Sequence, residues 1–169
     1  YSSAASDVYK RQIVRGTEAS IDTARMFGEF YPNPGDSMAV VSMPLAMVAE
    51  GFGTFLLVMF IFALTEGCNV GRPSDTMAPV FIGLSVSSII CLIAPLTQAG
   101  LNPARDFGPR LVSWLAGWGE VAFPDACCGG FFFVYILAPI LGGAVAAYAL
   151  TYVIEPLIKQ GDGSCECEK

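Results

Sequence analysis

GLNPARDFGPR, Gly100 to Arg110, lies between the apolar stretches IICLIAPLTQA at Ile89–Ala99 and LVSWLAGW at Leu111–Trp118. An arginine and an aspartate stand side by side there, and local chemistry accounts for one of them. Asn102 is a favoured N-cap residue, Pro103 occupies the first helical position where a missing N–H costs nothing, and Asp106 in the first turn suits the positive end of the helix dipole. A helix therefore starts at Pro103. Arg105 is the exception, because a cation at a helix N-terminus opposes the dipole. By spacing alone two readings stay open. Asn-Pro is an ordinary turn signal, as YPNPGD at Tyr31–Asp36 shows, and an Arg-Asp pair is common on a solvated loop. A charge at bilayer depth is instead a functional candidate.

The surrounding composition bears on that choice. Of the 169 residues, 54% are hydrophobic and 14% charged, against roughly 25% charged in a soluble domain. Three stretches, Met43–Thr65, Met77–Leu96 and Gly129–Ile154, lack Lys and Arg and reach the ~20 residues that a helix needs to cross a bilayer. EGCNVGRPSDT at Glu66–Thr76 and AFPDACCGG at Ala122–Gly130 punctuate the chain after the first and before the third. The fourth apolar piece, Pro103 to about Trp118, is too short and too charged at one end to cross. Backbone that enters without crossing is tolerated only where protein buries it or a watery cavity receives it, so this piece reads as a re-entrant half-helix. The expected fold is all-α, in a membrane, with the lipid bilayer as its principal partner.

The formal charge of −6 and the absence of a Lys/Arg cluster argue against a nucleic-acid partner. Six scattered cysteines and no histidine point to neither a disulfide framework nor a metal site, and no cofactor is expected. The tail motif CECEK has the donors for a soft metal but reads as a solvated acidic terminus. The opening YSSAASDVYKRQ resembles an adapter or assembly scar and is set aside. The resulting division is residues 1–26 as an artefactual or disordered segment, 27–158 as the folded unit and 159–169 as an acidic tail.

Glu50 sits inside the first span, in MVAEGFGTF. An intramembrane carboxylate faces the protein interior and finds donors. It either accepts hydrogen bonds from backbone N–H groups of a non-helical segment or relays protons; the structural reading is the better supported. The small residues of APILGGAVAAYA, Ala138–Ala149, suit close helix packing.

Together, Glu50, APLT at Ala94–Thr97, LNPARDFGPRL at Leu101–Leu111 and SWLAGWGEVAFP at Ser113–Pro124 resemble the C-terminal half of an aquaglyceroporin, the glycerol-facilitator branch of the major intrinsic proteins. FYPNP at Phe30–Pro34 is similar to that branch's external loop. The resemblance implies a right-handed bundle made of two inverted repeats. This chain would supply the second repeat, with three transmembrane helices plus one re-entrant NPA half-helix; the N-terminal half would be a missing partner, and the complete channel a homotetramer. It also implies that Glu66–Thr76 and the tail after Glu155 are cytoplasmic, which the sparse Lys and Arg of those segments do not independently support.

The resemblance further implies passive conduction of small uncharged solutes, glycerol and similar polyols first, with urea, metalloid acids and water as alternatives, and no enzymatic chemistry. Asn102, Pro103, Ala104, Arg105 and Asp106 carry the pore motif. Asn102 and Arg105 would donate to the solute, while the carbonyls of Gln98, Ala99 and Gly100 accept. Glu50 would be structural support. Ile90 and Ala99 stand where the branch usually has a glycine and an aromatic ring, and Tyr135 where it often has proline; these departures leave the solute ranking open. An ion-coupled secondary transporter, which also uses broken helices and buried carboxylates, is the alternative from another class.

Overall fold

The computed structural model describes residues 14–31, 41–123 and 130–161. The vicinal pair Cys127 and Cys128, the CECEK tail, the first dozen residues and the prolines of YPNP lie outside the described residues. Among those described, every regular element is helical.

A 3-10 turn, Glu18–Ser20, leads into the one-turn helix α1, Ile21–Ala24. Helix α2 spans Met43–Thr65, α3 spans Ala78–Thr97, and the shorter α4 spans Pro103–Ser113 before widening into a π-helical stretch at Trp114–Trp118. The last apolar helix, α5, runs over Phe132–Lys159. Three helices, α2, α3 and α5, are thus long and apolar enough to cross a membrane.

Four hydroxyls within the spans bond back to their own helix. Ser85, Ser87 and Ser88 donate to the carbonyls of Phe81, Gly83 and Leu84, each at 2.9 Å, and Thr65 donates to Ile61 O at 2.7 Å. Such back-bonding is what an apolar solvent demands of a hydroxyl that faces it.

Helix α5 is longer than the sequence suggested. The pair Glu155-Pro156 marks a stop by ordinary rules, yet the helix continues through it. π-helical stretches at Phe132–Leu137 and Leu150–Ile154 stand immediately before Pro139 and Pro156. The wider turn gives room for a ring that would clash with the preceding carbonyl and has no N–H to donate.

Helix α2 packs against both α3 and α5. Its crossing with α5 is a backbone approach, with Gly142 lying directly against Gly51 and a Cβ on Gly51 falling 3.2 Å from Ala138 O. Small residues there allow dispersion contacts that larger side chains would prevent. An apolar groove of about 510 Å³, lined in part by Met47, Phe52, Leu141 and Val145, runs beside this crossing. Only 28%, 17% and 39% of the most apolar windows of α2, α3 and α5 are buried inside the described structure. The remaining apolar surface calls for lipid or further protein rather than water.

The packed structure extends N-terminal to Phe27, the boundary read from the sequence. Arg15 Nη1 donates to Ala116 O at 2.9 Å and its guanidinium lies 4.7 Å from the Trp118 ring centroid. Trp118 Nε1 donates to Thr23 Oγ1 at 3.0 Å, and Phe27 packs on the same ring at 5.3 Å. RGTEASIDTARM is too polar to announce this attachment, which depends on one distant tryptophan. Cys68 is buried and disulfide-bonded, a second departure from the sequence reading, since scattered cysteines carry no pairing signal.

The Gly51–Gly142 contact yields a stability prediction. Gly142→Val places a branched side chain against the Gly51 carbonyl and is expected to cost about 1–3 kcal/mol or more from overpacking. Gly83→Ala, where an added Cβ meets nothing within 4 Å, is expected to leave stability unchanged or slightly raised. Thermal unfolding of the two variants in detergent checks the contrast.

Candidate functional site

Between α3 and α4 the chain makes five residues of non-helical backbone, Gln98 to Asn102. Gln98, Ala99 and Leu101 have φ values of 69°, 62° and 55°. None is glycine, and each such left-handed residue costs on the order of 1–3 kcal/mol unless its surroundings enforce it.

Glu50 supplies the enforcement. Its Oε1 accepts from Thr97 Oγ1 at 2.5 Å and from Gly100 N at 3.0 Å, while Oε2 accepts from Leu101 N at 2.6 Å. One turn along α2, Thr54 Oγ1 donates to Leu101 O at 2.9 Å, and from α5 Tyr135 OH donates to Thr97 O at 2.7 Å. Glu50, Thr97 and Tyr135 are all fully buried. Gly100 has no room for a side chain, because a Cβ would stand 2.7 Å from Tyr135 Cδ1.

At the loop's end Asn102 is extended, with φ −146° and ψ 117°, and its Oδ1 accepts from Ala104 N at 2.9 Å. Its Nδ2 has no partner among the described residues, and Asn102 is exposed, as are Ala104 and Arg105. Pro103 is half-buried at the first helical position. Arg105 Nη1 donates to Ala99 O at 2.9 Å and Gly100 O at 3.2 Å, and pairs with Glu29 Oε1 at 3.0 Å. Its Nε and Nη2 make no contact among the described residues. Two of the three nominated acceptor carbonyls are thereby tied to the arginine, while Gln98 O has no described donor.

Other nominated residues are placed differently from one another. Ala99 is buried in an apolar cluster with Ala49, Ile89, Ile93 and Leu101, whereas Ile90 is exposed on α3. Asp106, grouped with the pore residues in the sequence reading, points inward: it is 1% exposed and pairs with Arg110, also 1% exposed, at 2.6 Å. Arg110 Nε donates to Asp106 Oδ2 at 3.0 Å and Nη1 to Ala122 O at 2.9 Å, while Nη2 also reaches Glu29 O. Phe30, Phe123, Phe131 and Tyr135 surround the guanidinium at 5.2–6.0 Å. This buried pair ties α4 to the segment before α2, because Asp106 Oδ1 also accepts from Glu29 N at 2.7 Å.

Two participants escaped sequence reasoning. Glu29 brings a carboxylate to Arg105, and the Gln98 side chain accepts from Phe30 N at 2.7 Å. The available signal was a lone acid between aromatics in FGEFY, which has no spacing relation to the NPA stretch. Burial pushes the Glu29 carboxyl above the ordinary carboxylate range; Arg105 opposes that shift and Asp106 adds to it.

Comparison with known proteins gives consistent matches. A family model described as Major intrinsic protein matches residues 13–152. The glycerol uptake facilitator protein of Escherichia coli strain K12 is 41% identical over 142 residues, 84% of this chain and 48% of the relative. That of Pseudomonas aeruginosa is 37% identical over 158 residues, 94% of this chain and 54% of the relative. The propanediol uptake facilitator PduF of Citrobacter freundii is 40% identical over 143 residues, 85% of this chain and 51% of the relative. The chain spans about half the length of the curated relatives it matches.

The two buried carboxylates are expected to respond differently to substitution. Glu50→Gln turns one acceptor oxygen into a donor facing N–H or O–H groups, and should cost about 1–3 kcal/mol for the donor left unsatisfied. Asp106→Ala leaves Arg110 buried without its counter-charge and should cost about 3–5 kcal/mol. Unfolding midpoints in detergent, with Asp106→Ala lower than Glu50→Gln and both below the unmodified chain, check the order.

Proposed function

The chain belongs to the major intrinsic protein family, whose members are integral multi-pass membrane proteins, and on that premise we propose that it builds one half of a passive channel for small uncharged solutes. One observation carries the proposal. Asn102 and Arg105, at the start of the re-entrant helix α4, are held by contacts on one side of each side chain and, among the described residues, leave Nδ2, Nε and Nη2 as open donors. Among the same residues Gln98 O is an open acceptor in the loop. A polyol hydroxyl both donates and accepts, so this set can replace its water shell while exposed apolar surface, such as Ile90, meets its carbons.

Glycerol heads the solute class, since the relatives' names specify glycerol and propanediol. The small Ala99 and bulky Ile90 leave urea, metalloid acids and water as further members. Arg105 and the positive end of α4 oppose entry of cations. The apolar surfaces left open on α2, α3 and α5 would receive lipid, a complementary repeat and neighbouring copies of a homotetramer. Glu50 supports the channel reading over ion-coupled transport, because three donors occupy its two oxygens and hold it as a brace rather than a carrier.

The test is permeability. The channel containing this chain, purified into phosphatidylcholine vesicles, is expected to shrink and reswell in a glycerol gradient several-fold faster than protein-free vesicles. Arg105→Ala is expected to keep or raise glycerol flux while increasing proton and cation leak several-fold. Glycerol flux at the protein-free rate, or uptake that requires an ion gradient, contradicts the proposal.

A further inference from the structure

Among the described residues, Arg105 makes all its hydrogen bonds and its ion pair through a single nitrogen. Nη1 carries two hydrogens and is shared among Ala99 O, Gly100 O and Glu29 Oε1. The two carbonyls come from the same loop as Arg105, but Glu29 comes from the segment before α2, whose backbone is itself pinned to Asp106 and Arg110. Its side chain is only 17% exposed, against 52% for Arg105. A half-open cleft of about 220 Å³ adjoins the pair and is lined in part by Arg25, Glu29, Arg105 and Pro109. The carboxylate therefore stands at the edge of the open side, on the same guanidinium that the conduction reading uses.

We propose that Glu29 is a positioning and charge-setting residue for Arg105: ionised, it fixes Nη1 toward the loop and cancels the net charge at the constriction; protonated, it leaves a cationic constriction. The proposal rests on the channel reading for its consequence, though not for its geometry. Glu29 faces Arg105 and Asp106 on α4, Arg110 one turn further, Arg25 across the cleft and, more deeply, Glu50 on α2. Arg110 is already paired with Asp106 and Arg25 with Asp22, at 3.6 Å, so the charge balance at the open side is set by Arg105 and Glu29. Burial favours the neutral carboxyl, so the pair weakens as pH falls, and it does so at a higher pH than for an exposed glutamate. An uncompensated guanidinium attracts anions and repels cations.

Two measurements on the channel containing this chain, in phosphatidylcholine vesicles, test the proposal. The first is modification of Arg105 by phenylglyoxal at mildly alkaline pH, quantified by peptide mass spectrometry, with buried Arg110 as the internal reference. Glu29→Gln is expected to be labelled at Arg105 several-fold faster, because a guanidinium without its carboxylate gives up a proton more readily to the form that reacts. The second is the pH profile of nitrate leak relative to glycerol flux. Wild type is expected to show a several-fold rise in that ratio on acidification; Glu29→Gln is expected to hold the high ratio already at neutral pH and to be flat. The variant keeps the backbone contacts of residue 29, and Glu29→Asp retains the charge and should retain a pH-dependent ratio. Equal labelling rates, or a flat wild-type profile, overturn the proposal. Absence of glycerol flux in wild type would sink the channel reading instead, and the labelling comparison would still decide the role of Glu29.

Discussion

A single carboxylate accepting three hydrogen bonds, from the last residue of α3 and the non-helical loop after it, is the constraint on which the site depends. Glu50 sits on the longest uninterrupted α-helix, and the groups it holds, Thr97, Gly100 and Leu101, lie 47 to 51 residues further along the chain. Without it the backbone N–H groups of a loop at membrane depth would have no partners, an arrangement that costs several kcal/mol per group in hydrocarbon. With it, three non-glycine residues are kept at positive φ, and the chain turns abruptly enough for Asn102 to cap α4 through its Oδ1.

The two arginines that follow divide the work. Arg110 is enclosed by Asp106, two backbone carbonyls and four aromatic rings, and so fastens α4 to the segments on either side. Arg105, five residues earlier, is anchored through one nitrogen among the described residues and is exposed. The same residue type serves as internal staple and as presented donor because one is desolvated with its full set of acceptors and the other is not. Their separation also explains why Asp106 does not belong on the open side: it is committed to Arg110 and to the backbone of Glu29.

Much of this was readable from local chemistry. The three spans follow from length and composition, and the start of α4 from Asn-Pro at N-cap and first helical position, since both are decided within a few residues. The lone intramembrane Glu50 could be read as an acceptor, but not its three donors, which fold brings from another helix end. What escaped depends on distant packing: Glu29 meets Arg105 and its neighbour Asp106, the latter 77 residues further along the chain, and Trp118 captures Arg15, Thr23 and Phe27 from a stretch too polar to advertise itself. Helix α5 runs on past Ile154, where the apolar stretch ends, because a π-helical turn accommodates Pro156. Least legible were Ile90 and Ala99, nominated together from the sequence, whose side chains differ in exposure in a way that motif spacing does not carry.

The hold of Glu50 on the turn is tested most directly by amide hydrogen exchange at single-residue resolution, on the protein in lipid nanodiscs. The account predicts that the amides of Gly100 and Leu101, although outside any helix, are protected as strongly as interior amides of α2 and α3. Exchange of those two amides as fast as that of exposed Val70 would contradict it.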